Sequence, residues 1–141
     1  MISGFKGRYS FLSNFYPCQV VLDGEVYPSV EHAFQAAKAS DPTQRTAIRQ
    51  AETPRQARTL GKHISLRKDW EQVKIGIMED LLLKKFEDPR LKSRLLGTGD
   101  QYLQETNWWG DTFWGVCNGK GFNHLGKLLM KLRSKCKMNR S

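Results

Sequence analysis

Asp111 and Glu31 are the two carboxylates of this sequence best placed to do chemistry. Asp111 stands in N-W-W-G-D-T-F-W-G-V-C-N-G-K-G-F-N-H-L-G, residues 107 to 126, where three of the chain's four tryptophans and five of its twelve glycines crowd around one acid. Large aromatics beside flexible backbone read as a pocket wall, and Trp109, Phe113 and Trp114 would partly desolvate the carboxylate. An aspartate after a glycine also bonds the backbone amides of a turn, so a plain structural role competes. Glu31, in Y-P-S-V-E-H-A-F-Q-A-A-K, falls in the first turn of a helix at the border between its apolar stripe and solvent, where an acid also complements the helix dipole. Two such carboxylates serve acid/base or charge-stabilising chemistry if the fold turns them to one cavity. Tryptophans on a pocket wall stack on flat heterocycles, although Trp70, Trp108 and Trp109 have ordinary packing as the competing role. Arg8, Lys38 and Lys120 are the cations placed to hold an anionic group. His32 reads as a packing or surface histidine rather than a base.

The elements that must carry these residues have readable ends. Gln19 to Tyr27 places Asp23-Gly24 between β-branched and aromatic residues, the pattern of a tight hairpin. Ser29 caps a helix from Val30 to about Ala39, whose Val30, Ala33, Phe34 and Ala37 form an inward stripe while Glu31, Gln35 and Lys38 share another face. Thr53-Pro54-Arg55-Gln56 opens a short helix closed by Gly61. Asp69-Trp70 opens a longer one to about Phe86, Asp88-Pro89 opens another ending near Gly97, and Leu125, Leu128, Leu129 and Leu132 mark the last. A strand is expected at Phe113 to Val116. The aromatic run Arg8 to Pro17 reads as a strand or turn filling core. Gly119-x-Gly121 ahead of a helix is a weak anion-binding pattern, because the third glycine of the dinucleotide fingerprint is missing. The sum is an α+β single domain over residues 1 to 141, mostly helical, with a short β-hairpin and a few short strands.

Composition narrows the class. A chain of 141 residues with 39% hydrophobic and 26% charged residues buries a real core, and no apolar run reaches the length of a membrane span. Three cysteines without close pairs, and an N-terminus lacking the apolar centre of a secretory signal, fit a reducing cytoplasm. The cysteines and histidines show no metal-ligand spacing, so neither metal nor cofactor is expected. Of the 23 Lys and Arg residues, seven lie between Thr112 and Ser141, which contain no acid. That tail accounts for most of the net charge of +9 and suggests a nucleic-acid contact, with a solvated helix face as the plainer reading from Arg133 onward.

Together these segments carry a family resemblance. Y-S-F-L-S-N-F-Y-P-C at 9 to 18, Y-P-S-V-E-H-A-F-Q-A-A-K at 27 to 38, R-K-D-W-E at 67 to 71, K-F at 85 to 86, T-G-D at 98 to 100, G-D-T-F-W-G at 110 to 115 and G-x-N-x-L-G-K-L-L-M-K-L-R at 121 to 133 resemble the NADAR, or YbiA-like, family over nearly the whole chain. The resemblance implies a YbiA-like fold and a metal-independent N-glycosidase. Its substrate would be a phosphorylated ribosylaminopyrimidine of riboflavin biosynthesis, or ADP-ribose on guanine. The alternative is a non-catalytic module that binds ADP-ribose or nucleic acid. The family's acid falls on Glu31, its D-W tryptophan on Trp70, and its D-x-x-W-G pair on Asp111 and Trp114. Asn14, Phe15, Gln35 and Asn123 complete the expected substrate contacts, with Arg8 and Lys38 for phosphate.

Overall fold

Ser29 starts the central helix as its sequence requires: its hydroxyl accepts from the His32 amide at 3.0 Å, and helix α1 (Val30–Lys38) follows. The computed structural model describes residues 1 to 139, so Arg140 and Ser141 of the basic tail lie outside the described residues. The chain divides into two compact units, one of Asn14–Lys85 and one of Met1–Ser13 with the segment from Phe86 onward.

In the unit of Asn14–Lys85, strands β1 (Val20–Leu22) and β2 (Glu25–Tyr27) pair antiparallel across Asp23-Gly24, both at positive φ (50° and 83°) as a two-residue hairpin turn demands. Helix α2 (Pro42–Arg49) is capped by Asp41, whose carboxylate accepts from the Thr43 amide at 2.8 Å. It was not expected, because Ile48 is its one buried residue and a polar octamer shows little apolar periodicity. Helix α3 (Pro54–Leu60) has the expected Thr53 cap, and α4 (Trp70–Lys85) packs on α1 through Trp70 against Phe34, with ring centroids 5.0 Å apart. Helices α2, α3 and α4 and strand β1 all pack on α1, so its residues from Val30 to Ala37 are all buried. Glu31 therefore does not sit at a border with solvent. The amphipathic estimate assumed one covered face, and α1 is covered all round.

Lys85 ends α4 with 1% of its surface exposed, its ammonium 5.7 Å from the Tyr16 ring centre. Burial pushes its pKa from the ordinary 10.5 down to about 8, against a smaller opposing effect of Cys18. Between those values the unfolded chain binds more protons than the folded one, so stability rises with pH through that window, and the penalty is fully present below it. Relative to Lys85→Met, the wild type is expected to gain on the order of 3 kcal/mol between pH 7 and pH 10.5 in denaturant unfolding. A flat or inverted difference would contradict the assignment.

In the other unit, a 3-10 helix over Gly7–Leu12 replaces the strand or turn expected there and buries Phe11 and Leu12. Two short parallel pairs follow: β3 (Ile2–Ser3) with β4 (Leu103–Gln104), and β5 (Thr106–Asn107) with β6 (Val116–Cys117). The expected strand at Phe113 to Val116 begins only at Val116, because the amides of Phe113 and Trp114 bond the Asp111 carboxylate instead of a ladder. Helices α5 (Pro89–Leu96) and α6 (His124–Met138) pack together, and α6 lies on β4. Gly126 permits that approach, since a Cβ there would overlap the Leu103 carbonyl. Arg133 is not on a solvated face. It is buried, with Nη1 donating to Thr98 Oγ1 at 2.9 Å, while Lys137 bonds Asp100 and the Gly99 carbonyl.

Candidate active site

Burying a carboxylate is costly unless its oxygens are bonded, so the partners of Glu31 matter more than its place in the helix. Glu31 is 4% exposed, and Gln35, one turn later, donates Nε2 to its Oε2 at 2.7 Å. Arg58 of α3 brings Nε to 3.5 Å from the same oxygen. The Glu31 amide donates to the Asn14 carbonyl at 3.0 Å, tying the N-terminal aromatic run to the first turn of α1. Phe15 then supports the Arg58 guanidinium, which lies 4.6 Å from its ring centre. Lys38, on the helix face of Glu31 and Gln35, is held below the usual lysine pKa by burial, with Glu31 opposing and Arg58, Lys74 and Lys62 assisting. Among the described residues nothing hydrogen-bonds to the buried Gln35 Oε1 or Asn14 Oδ1. His32 is a structural tie: Nε2 donates to the Ala51 carbonyl at 2.9 Å, so Nδ1 accepts from Ser29 Oγ at 2.7 Å.

Gly61 contributes by what it lacks. Its φ of −63° suits any residue, but a Cβ would collide with the Gln35 side chain. Gly61→Ala is expected to displace the buried Gln35 side chain and pull Nε2 off Glu31, costing about 1–3 kcal/mol of stability because a buried carboxylate loses a hydrogen bond. Since misplacement of about 1 Å costs roughly a hundredfold in rate, turnover of the folded protein should also fall at least tenfold. Equal turnover would show that Gln35 does not position the carboxylate.

In the other unit, Asp111 Oδ1 accepts from the amides of Phe113 at 3.1 Å and Trp114 at 2.9 Å. This is the expected turn chemistry, and it leaves Oδ2 for other use. The loop is clamped by Asn107, a buried residue that stands in the sequence only as the edge of the aromatic crowd. Asn107 Oδ1 accepts from the Asp111 amide at 3.0 Å, while Nδ2 donates to the Asp111 carbonyl at 2.9 Å and the Val116 carbonyl at 3.3 Å. The Trp114 ring packs edge-on to Phe113, centroids 4.8 Å apart. Asn123 sits at φ 55°, its Oδ1 accepting from the Glu105 amide and its Nδ2 donating to the Leu103 carbonyl, so its amide braces the start of α6. Gly121, at φ 148°, is needed for close approach to the Gly115 carbonyl. Trp108 is 85% exposed and meets Trp109 edge-on at 5.7 Å, so the packing role that competed with a pocket-wall one does not hold for it. Arg8 lies over the Tyr9 ring and, with Tyr9, Phe11, Arg94 and Thr98, lines a cavity of about 320 Å³.

Neither Arg58 nor Asn107 was marked by the sequence. Arg58 is one of several cations in its segment, and only the packing of α3 against α1 sets it beside Glu31. Among the described residues no group of three or more His, Cys, Asp or Glu residues could hold a metal ion, and no helix is long and apolar enough to cross a membrane.

Comparison with known proteins gives the family. The NADAR domain model matches residues 4–137. The chain is 42% identical over 129 residues to N-glycosidase YbiA of Shigella boydii serotype 4, covering 89% of this chain and 80% of that protein. It is 36% identical over 130 residues to a riboflavin biosynthesis protein of Vibrio vulnificus, covering 89% of this chain but 35% of that longer protein. The NMR structure of E. coli YbiA superposes with a TM-score of 0.87 at 36% identity, covering 99% of this chain and 86% of that one. Fold and similarity define an α+β enzyme of the N-glycosidase class. The chain belongs to the NADAR family.

Proposed function

We propose that this enzyme hydrolyses the bond between the anomeric carbon of a phosphorylated ribosyl group and the nitrogen of an aminopyrimidine formed in riboflavin biosynthesis. The observation that carries the reading is the Glu31 carboxylate, buried and oriented by Gln35 and Arg58. As the C–N bond breaks, its electron pair leaves with nitrogen and positive charge grows on the ribose ring. A fixed carboxylate in a water-poor site stabilises that charge far better than one in bulk water. Water then adds to the anomeric carbon, giving up a proton while the departing nitrogen gains one, and the products are free base and ribose phosphate. The second carboxylate that deprotonates or orients the water is assigned to Asp111 on sequence grounds, with Trp70 and Trp114 as the aromatics for the flat leaving group. The name of the Vibrio vulnificus relative supports the substrate class.

A second reading, ADP-ribose attached to guanine, is favoured by the exposed Trp108 and by the acid-free basic stretch from Thr112 onward. Purified protein is to be incubated separately with the aminopyrimidine riboside phosphate and with ADP-ribosylated guanine in DNA, and the products weighed by mass spectrometry. Release of free aminopyrimidine supports the first reading. Removal of ADP-ribose alone would replace it with the second, and no release from either would refute both.

A further inference from the structure

Arg58, which no sequence motif marks for phosphate, is the cation paired with Glu31. Arg58 keeps one face on Phe15 and its Nε edge toward Glu31, with 38% of its side chain exposed. Among the described residues no hydrogen bond engages its Nη1 or Nη2. Lys38, on the helix face of Glu31, is held below the usual lysine pKa chiefly by its burial, with Glu31 opposing and Arg58 assisting. Gln35 is 6% exposed and fixed in orientation, because only its Nε2 can face a carboxylate and its Oε1 packs against Gly61, so the Glu31 carboxylate beside Arg58 is held in place.

We infer that Arg58 binds the phosphate of the substrate and couples it to Glu31; this rests on the phosphorylated-riboside reading given above. A guanidinium held by its face and its Nε edge retains the Nη pair for two parallel bonds to a phosphate, which a lysine cannot reproduce. A phosphate dianion there also offsets the field that Arg58 exerts on Glu31, so the carboxylate presents more negative potential to the cation forming on the ribose. Phosphate therefore contributes to kcat as well as to KM.

The test compares one riboside with and without its phosphate on wild type, Arg58→Ala and Arg58→Lys. The wild type should prefer the phosphorylated form by at least about a hundredfold in kcat/KM, and Arg58→Ala should lose most of that preference, its activity falling by a much larger factor on the phosphorylated than on the unphosphorylated form. Arg58→Lys should recover part of KM but not kcat. Equal losses on both forms, or an undiminished preference in Arg58→Ala, would overturn the inference. Calorimetric binding of ribose 5-phosphate and of ribose supplies a readout that does not depend on turnover or on the alanine variant folding. Phosphate should tighten binding to wild type, and Arg58→Lys should lose at least about tenfold of that gain. Identical affinities for the two sugars would overturn it as well. A wild type that binds ribose 5-phosphate through Arg58 yet cleaves neither riboside would fail the N-glycosidase reading alone.

Discussion

Glu31→Gln is expected to lower kcat for base release about a thousandfold, within the range of about 10² to 10⁴ typical for a positioned acid/base or charge-stabilising group. The substitution keeps the shape of the side chain and an oxygen to accept from Gln35 Nε2, and it removes only the charge. KM should change little, because the lost interaction is made with charge that exists only in the transition state. Stability should shift by no more than about 1 kcal/mol, since the charge removed is buried and its cationic partner Arg58 is partly exposed and can be solvated. Thermal unfolding followed by circular dichroism checks the second point, and product release under saturating substrate checks the first. Turnover within tenfold of wild type would remove Glu31 from the chemistry.

Asp111→Asn separates two roles that Asp111 fills at once. Asparagine retains an Oδ1 that can accept from the amides of Phe113 and Trp114, and the Asn107 clamp on the Asp111 backbone does not depend on the charge. The loop should therefore survive, with turnover falling about a hundredfold from loss of the carboxylate. Asp111→Ala strips both amides of their acceptor and should cost a further 1–2 kcal/mol, roughly, in stability. An inactive alanine variant beside a fully active asparagine variant would reduce Asp111 to a turn residue.

Local chemistry accounts for what could be read in advance. The hairpin at Asp23-Gly24, the caps at Ser29 and Thr53, and the openings at Trp70 and Pro89 are set by residues within a few positions of each other. Such signals do not depend on what packs nearby. Helix α2 is not legible in the sequence because a polar helix carries little periodicity, and the strand expected from Phe113 begins later because a side-chain oxygen takes the amides that a ladder needs. Family motifs likewise belong to the sequence and marked Glu31, Trp70, Asp111 and Trp114 as candidates.

The surroundings of those residues were decided by tertiary packing alone. Three helices and a strand close over α1, so a carboxylate expected at a solvent border is buried, and its field depends on Arg58 from α3 and on a glycine in the next loop. The exposure of Trp108 and the burial of Arg133 were settled in the same way. Burial and electrostatic partnership are properties of neighbours in space, and the residues that set them here lie tens of positions away along the chain. The sequence determined which carboxylates are candidates and where their helices and turns begin. The fold determined how much solvent Glu31 keeps and which side chains hold it, because desolvation and Coulomb interactions act through distances that one-dimensional spacing does not contain.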